Sequence, residues 1–264
     1  MPEGDTLHGW ARALDDALGR QPLVRAESTR VALSRFVGHS ILAARAQGKH
    51  LLLEFDEGHV LRTHLRMHGS IRLRDGSYEG PIANPHVRWL LATEHKTATC
   101  LDAPSIELLH RQQLETHPVL SRLGPDVLDE TLDGAEILRR LREHPETVIG
   151  MALLDQELLS GIGNVYKSEA LFLAEVSPFT RIGELDDTRL GRVLGIARQL
   201  MRRNVGAARR TTPRGRIASR YWVYDRSGEP CLRCGGRVAM QRQGPLARST
   251  YYCPECQGGP VPVR

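Results

Sequence analysis

Four of the five cysteines fall in two close pairs, Cys231-x2-Cys234 and Cys253-x2-Cys256, with eighteen residues between the pairs. Four thiolates so placed can close a tetrahedral shell around zinc, and a gap of that length suits a β-hairpin joining the pairs. A closed shell has no open position for catalysis, so the expectation is one structural zinc per chain that folds a finger. Disulfides are the alternative, disfavoured in a cytoplasmic chain. Cys100, alone, reads as a small buried hydrophobe. Between the pairs, Gln241 to Thr250 has turn chemistry and places arginines near the hairpin tip. A guanidinium presented there suits a phosphate, the alternative being ordinary surface.

A second constellation is Leu159-Ser160-Gly161-Ile162-Gly163-Asn164-Val165-Tyr166. Two glycines at a turn between helices let the backbone approach a ligand closely, and the N–H groups opening the next helix favour an anion. Asn164 either caps that helix or donates to a phosphate. The third is the N-terminus, Met1-Pro2-Glu3-Gly4. Removal of Met1 leaves Pro2 as a secondary amine with a reference pKa near 8, against roughly 10.4 for lysine, so far more of it is nucleophilic at neutral pH. Condensed with an aldehyde, a secondary amine gives only a charged iminium, an electron sink for elimination at the adjacent carbon. Glu3 could supply the acid or base. From these residues alone, Pro2 and Glu3 could equally just precede a helix.

These groups need elements to hold them. Leu7, Trp10, Ala11, Leu14 and Leu18 recur at helical spacing over residues 5–18. Short β-rich runs follow at 40–44, 50–55, 60–65, 70–73, 87–93 and 97–101, with turn signals at Asp56-Glu57-Gly58 and Arg74-Asp75-Gly76-Ser77. The strand pattern stops around His117 to Asp126, and helices are expected at about 134–143, 147–155, 164–174 and 186–204. The fold class is therefore α+β: an N-terminal antiparallel β-sandwich with an N-terminal helix (residues 1–125), a helical domain (126–222), and a β-hairpin zinc finger (223–264). At 264 residues, with 41% hydrophobic and 25% charged residues, the chain can bury more than one core, which excludes a disordered or collagen-like chain. No apolar stretch approaches the roughly 20 residues of a membrane span, and the acidic start lacks the features of a signal peptide, so a cytoplasmic location and no membrane partner are expected.

Thirty-six Lys and Arg against 31 Asp and Glu give +5. From Thr188 to Tyr224 there is no acid but ten arginines. A solvated face mixes both signs, so a polyanion partner is favoured over bare surface.

With these residues assembled, the chain resembles the formamidopyrimidine-DNA glycosylase and endonuclease VIII family of DNA repair enzymes. The likeness is carried by Met1-Pro2-Glu3-Gly4, Gln47-Gly48-Lys49-His50-Leu51-Leu52-Leu53-Glu54, the Gly161 to Tyr166 turn, and Gly228-Glu229-Pro230-Cys231 leading into the finger. It implies a helix-two-turn-helix in the helical domain and a bifunctional DNA glycosylase and lyase of base excision repair acting as a monomer on damaged DNA, in the nucleoid. By the resemblance Pro2 attacks C1′ of a damaged nucleotide, Glu3 shuttles protons, and Lys49 contacts phosphate by the lesion. Asn164 and Arg248 match the residues that clamp phosphates. His64-Leu65-Arg66-Met67-His68-Gly69 looks like the loop that fills the gap left by the extruded base, with Met67 as the apolar plug and Arg66 and His68 beside it; a Met packed in the core is the other reading. The lesion-covering loop would fall near 207–218.

Departures bear on substrate. The Asp-Pro-Arg-Arg-Phe-Gly segment of the formamidopyrimidine branch has no equivalent around Glu94 to Asp102, and Thr116 to Leu128 looks like endonuclease VIII, which favours oxidised pyrimidines. Thr6 stands where many members carry glutamate, so a second carboxylate is missing at that position. The rival expectation is a non-catalytic zinc-finger DNA-binding protein of the same fold.

Overall fold

The computed structural model describes residues 2–78, 80, 84–215 and 219–260. Met1 and positions 216–218 of the expected lesion loop lie outside the described residues. The chain divides into two compact units, the first ending at Arg122 and the second beginning at Leu123.

The first unit opens with helix α1 (Gly4–Leu18), whose buried residues Leu7, Ala11, Leu14 and Leu18 form one apolar stripe. Two four-stranded antiparallel sheets follow. One has the order β1 (Arg25–Ser28), β6 (Val87–Ala92), β7 (Lys96–Leu101), β5 (Ser70–Asp75). The other runs β2 (Ile41–Gln47), β3 (His50–Phe55), β4 (His59–His64), β8 (Ser105–His110). Residues from both sheets and from α1, among them Leu14, Phe36, Phe55, Leu61, Trp89 and Cys100, form one core. Cys100 is accordingly the buried hydrophobe expected of it. The buried Trp89 Nε1 donates to Thr63 Oγ1 at 3.0 Å, tying β6 to β4. Asp15 accepts from the Ala44 N–H at 2.8 Å and anchors α1 on β2.

The second unit holds α2 (Gly134–Arg142), α3 (Ile149–Ala152), α4 (Asn164–Ala174) and α5 (Asp187–Asn204). The finger hairpin β9 (Ala239–Gln243) and β10 (Arg248–Tyr252) and the single turn α6 (Pro254–Gln257) complete it. Helix α4 is buried from Asn164 through Phe172, with Lys167, Ser168 and Glu169 inside along with its apolar residues. Phe172 of α4 shares a small core with Val223, Cys231, Val238 and Cys253, so the finger packs onto the helical part within one unit.

Candidate active site and nucleic-acid interface

Glu3 is the N-cap residue of α1, with φ −125° and ψ −177°. Its carbonyl accepts from Thr6 N–H at 2.9 Å and Leu7 N–H at 3.3 Å, which starts the helix, and the residue is wholly buried beside a half-buried Pro2. A carboxylate at a helix N-terminus is favoured by the aligned peptide dipoles. Thr6 does leave its own position without a carboxyl group, yet Asp5, one residue earlier, is buried in the same first turn. The sequence reading missed Asp5, although an acid in a helix's first turn is an ordinary signal.

Lys49 occupies the two-residue turn joining β2 to β3, closed by the Gln47 and His50 pair. Gly48 supplies the positive φ of 57° that such a turn needs. His50 opens β3 and His64 ends β4, their rings 4.6 Å apart. Burial, then His64 and Arg62, push His50 down to about 2. Burial, then Arg66, Arg62 and Lys49, push His64 down to about 4. Both rings are therefore neutral at pH 7, and His64 Nδ1 accepts the Arg66 N–H at 3.0 Å. The structure thus gathers Lys49, Arg66 and two neutral histidines in one neighbourhood. The pairing of the two histidines is not legible in the sequence because they belong to different strands.

Beyond His64 the chain turns through Arg66, Met67 and His68, all exposed, before β5. Arg66 adopts φ 51°, the left-handed region that a non-glycine residue occupies at a cost. A Cβ on Gly69 would stand 2.5 Å from the Leu65 carbonyl oxygen, so only glycine closes this turn. Met67 is 60% exposed, which removes the core-packing reading and leaves an apolar side chain standing in solvent. Between β7 and β8 only residues 102–104 intervene.

In the second unit the glycine turn is braced by a segment singled out separately in the sequence. Ser160 pairs with Asp126, donates through its N–H to the Pro125 carbonyl at 2.8 Å, and through Oγ to the Gly124 carbonyl at 3.0 Å. Gly163, extended at φ −124°, is the N-cap of α4, so Asn164 is not the cap. Its side chain turns elsewhere: Nδ2 lies 3.5 Å from Ser249 Oγ, and the buried Oδ1 has no hydrogen-bond partner. One turn later the wholly buried Lys167 donates from Nζ to the Ser249 carbonyl at 3.1 Å and to Thr250 Oγ1 at 2.6 Å. Strand β10 is thereby docked on the head of α4, which brings the exposed Arg248 into the neighbourhood of Asn164. Arg248 pairs with Gln243 and closes the hairpin across Gly244 to Ala247.

The four finger sulfurs lie within 4.8 Å of one another, Cys231 and Cys256 at 3.9 Å and Cys234 and Cys253 at 3.5 Å. Tetrahedral zinc with bonds of about 2.3 Å requires sulfurs roughly 3.8 Å apart, so the donor set fits the metal. The Arg233 N–H points at Cys231 Sγ at 3.4 Å, the kind of second contact that orients a thiolate.

A β-sandwich headed by a capped helix, joined to a helical unit carrying a four-cysteine finger, defines a class of DNA repair protein. The chain matches the formamidopyrimidine-DNA glycosylase N-terminal domain over residues 1–104, the formamidopyrimidine-DNA glycosylase H2TH domain over 123–214, and the zinc finger found in FPG and IleRS over 228–258. A probable endonuclease 8 2 of Streptomyces coelicolor is 40% identical, covering 99% of this chain and 96% of that protein. The DNA-(apurinic or apyrimidinic site) lyase Nei2 of Mycolicibacterium smegmatis is 33% identical over 97% of this chain and 99% of its own. Among solved structures, a Lactococcus lactis Fpg in complex with DNA containing N7-benzyl-Fapy-dG shares the fold with a TM-score of 0.81 at 23% identity, covering 98% of this chain and 100% of that one. The chain belongs to the formamidopyrimidine-DNA glycosylase and endonuclease 8 family of DNA glycosylases and apurinic or apyrimidinic site lyases.

Proposed function

We propose that this protein excises oxidised bases, pyrimidines in preference, and cuts the strand at the resulting site. The observation that carries the reading is the wholly buried carboxyl residue Glu3 directly after Pro2 at the head of α1. With Met1 removed, the Pro2 nitrogen attacks C1′ of the damaged nucleotide, the C1′–N bond to the base breaks, and the base leaves with a proton. The Pro2 nitrogen then gives up its proton and the C1′–O4′ bond breaks as O4′ is protonated, opening the sugar to an iminium between Pro2 and C1′. That iminium acidifies C2′, whose proton is removed as the 3′ phosphate departs. A second elimination releases the 5′ phosphate. Glu3 exchanges protons with the sugar, and Lys49 holds the phosphate beside it.

Met67 enters the space left by the extruded base, flanked by Arg66 and His68; unstacking costs a few kcal/mol, least where damage has already weakened pairing. Asn164, whose Oδ1 is unpartnered and whose amide nitrogen faces Ser249, and Arg248 on the adjoining strand hold backbone phosphates. The preference for pyrimidines is supported by the three-residue link between β7 and β8, which leaves no room for an Arg-Arg-Phe-Gly segment. Relatives named endonuclease 8 at 31 to 40% identity support the repair of oxidised bases.

Borohydride added during incubation with lesion-containing DNA should trap a covalent complex through Pro2, located by mass spectrometry. Pro2→Gly keeps an amine but loses the fixed secondary one, so trapping should fall while DNA binding stays nearly unchanged. Retained Met1, or undiminished trapping by Pro2→Gly, would refute the nucleophile and leave a non-catalytic DNA-binding protein.

A further inference from the structure

After α5 the chain makes an excursion before entering the finger, and buried polar side chains grip both of its ends. Glu169 on α4 accepts at Oε2 from Thr212 Oγ1 and from the Trp222 N–H at 2.8 Å. At Oε1 it accepts from the Val223 and Tyr224 N–H groups, each at 2.9 Å. Asn204, the last residue of α5, accepts the Thr211 N–H at 2.8 Å and donates to the Thr211 carbonyl at 2.9 Å. The neck is closed by the Thr212 N–H on the Arg220 carbonyl at 3.0 Å.

Burying a carboxyl group costs several kcal/mol unless its oxygens are satisfied. An apolar residue would fill the same volume without that penalty. What the carboxylate adds is position: each oxygen takes two donors, and all four come from this one excursion. Among the described residues of this excursion, Arg209, Arg214 and Arg220 are exposed. Arg203, whose Nη2 donates to the Thr212 carbonyl at 2.8 Å, is lowered from its ordinary pKa by burial and then by Arg214. Like charges held this close, in a stretch without a single acid, call for a polyanion. The segment is also set against the phosphate-binding turn, since the Arg210 guanidinium lies 5.2 Å over the ring of Tyr166, two residues beyond Asn164.

We infer that Glu169, on the same helix as Asn164 and acting through Thr212 and the 222–224 amides, is a positioning residue for DNA that holds Arg214 and Arg220 in place as phosphate contacts. The inference rests on the DNA-binding part of the proposed function. Thr212→Val keeps the shape and cuts only the hydroxyl bond at the neck; Thr212→Ser keeps the bond. Affinity for a duplex containing an abasic-site analogue would be measured between 50 and 200 mM salt. Each phosphate contact contributes about 0.9 to the slope of log affinity against log salt, so loss of two lowers it by about 1.8. The loss of affinity across that range then becomes about twelvefold smaller in Thr212→Val, with Thr212→Ser like wild type. Arg214→Ala with Arg220→Ala should reproduce the shallow slope without touching any buried group, and adding Thr212→Val should change it no further. A wild-type slope in either the Thr212→Val protein or the double arginine variant overturns the inference, even where wild type is trapped on DNA. A wild type that neither binds nor is trapped overturns the underlying function instead.

Discussion

Acidification from pH 7 to pH 5 should destabilise the first unit by about 4 kcal/mol, through two histidines. His50 is held down to about 2 and His64 to about 4. In the unfolded chain a histidine titrates near 6.5. Between the folded and unfolded values the unfolded state binds more protons, so stability must fall as pH falls. The contribution is intact above about 6.5 and is lost below it at about 1.4 kcal/mol per pH unit for each ring, which gives about 2 kcal/mol per ring at pH 5. Carboxyl groups of the same unit whose pKa is lowered, Asp56, Asp75 and Glu107, titrate below this window. Glu169, which burial raises, belongs to the other unit. Of the three tryptophans, Trp10 and Trp89 report on the first unit and Trp222 on the second. Urea unfolding followed by fluorescence in a Trp222→Phe background therefore isolates the transition of interest. His50→Phe should remove about half of the pH dependence. A midpoint that does not move between pH 7 and 5, or a His50→Phe protein with the full wild-type dependence, would refute the argument that two uncharged, mutually crowded rings are built into this sheet.

Met67→Ala should leave thermal stability within about 0.5 kcal/mol, because the side chain is already exposed, yet slow excision from duplex DNA roughly tenfold while sparing single-stranded substrate. Equal slowing on both substrates would deny it the role of a plug. Arg248→Ala should weaken binding to all sequences alike and lower the salt slope by about 0.9; a changed base preference would show that this arginine touches bases. Removing zinc with a chelator should unfold the finger, release β10 from α4 and lower DNA affinity, monitored by metal content and circular dichroism together. Unchanged binding by a metal-free protein would separate the finger from the clamp.

Much of this architecture is legible in the chain because local patterns set it. The helix over α4 was expected at 164–174 and is found at Asn164–Ala174, since its glycine turn marks the start unmistakably. Strand β3 was expected at 50–55 and forms there, bounded by a glycine turn on each side. The helix expected at 147–155 shrinks to Ile149–Ala152. Its neighbouring backbone is diverted into tertiary pairs instead: Val148 bridges to Arg181, and Ile149 N–H donates to the Thr180 carbonyl at 2.9 Å. Strands β1 and β8 escaped notice for a related reason. Arg25–Ser28 is short and polar, and Ser105–His110 has no fully buried residue, so neither shows the apolar alternation that marks a strand, and both are edge strands whose one partner defines them.

The candidate site divides along the same line. The four cysteines are legible from their spacing, whereas Pro2 with Glu3 and the Met67 turn stand out only through the family resemblance. Residues whose role comes from burial are legible in neither way. Nothing adjacent to Glu169 in the sequence distinguishes it from a surface glutamate, because its partners Thr212 and Trp222 to Tyr224 lie more than forty residues downstream. Lys167 is equally silent until β10 arrives to accept its ammonium. A clue was nonetheless present: in a helix whose neighbours are apolar on every side, a lysine and a glutamate two residues apart cannot both face water. Charges on a helix buried all round must each find partners, and here those partners are the strand carrying Arg248 and the arginine-rich excursion. The helix that opens with Asn164 therefore fixes, from its interior, two further cationic elements of the surface proposed to meet DNA.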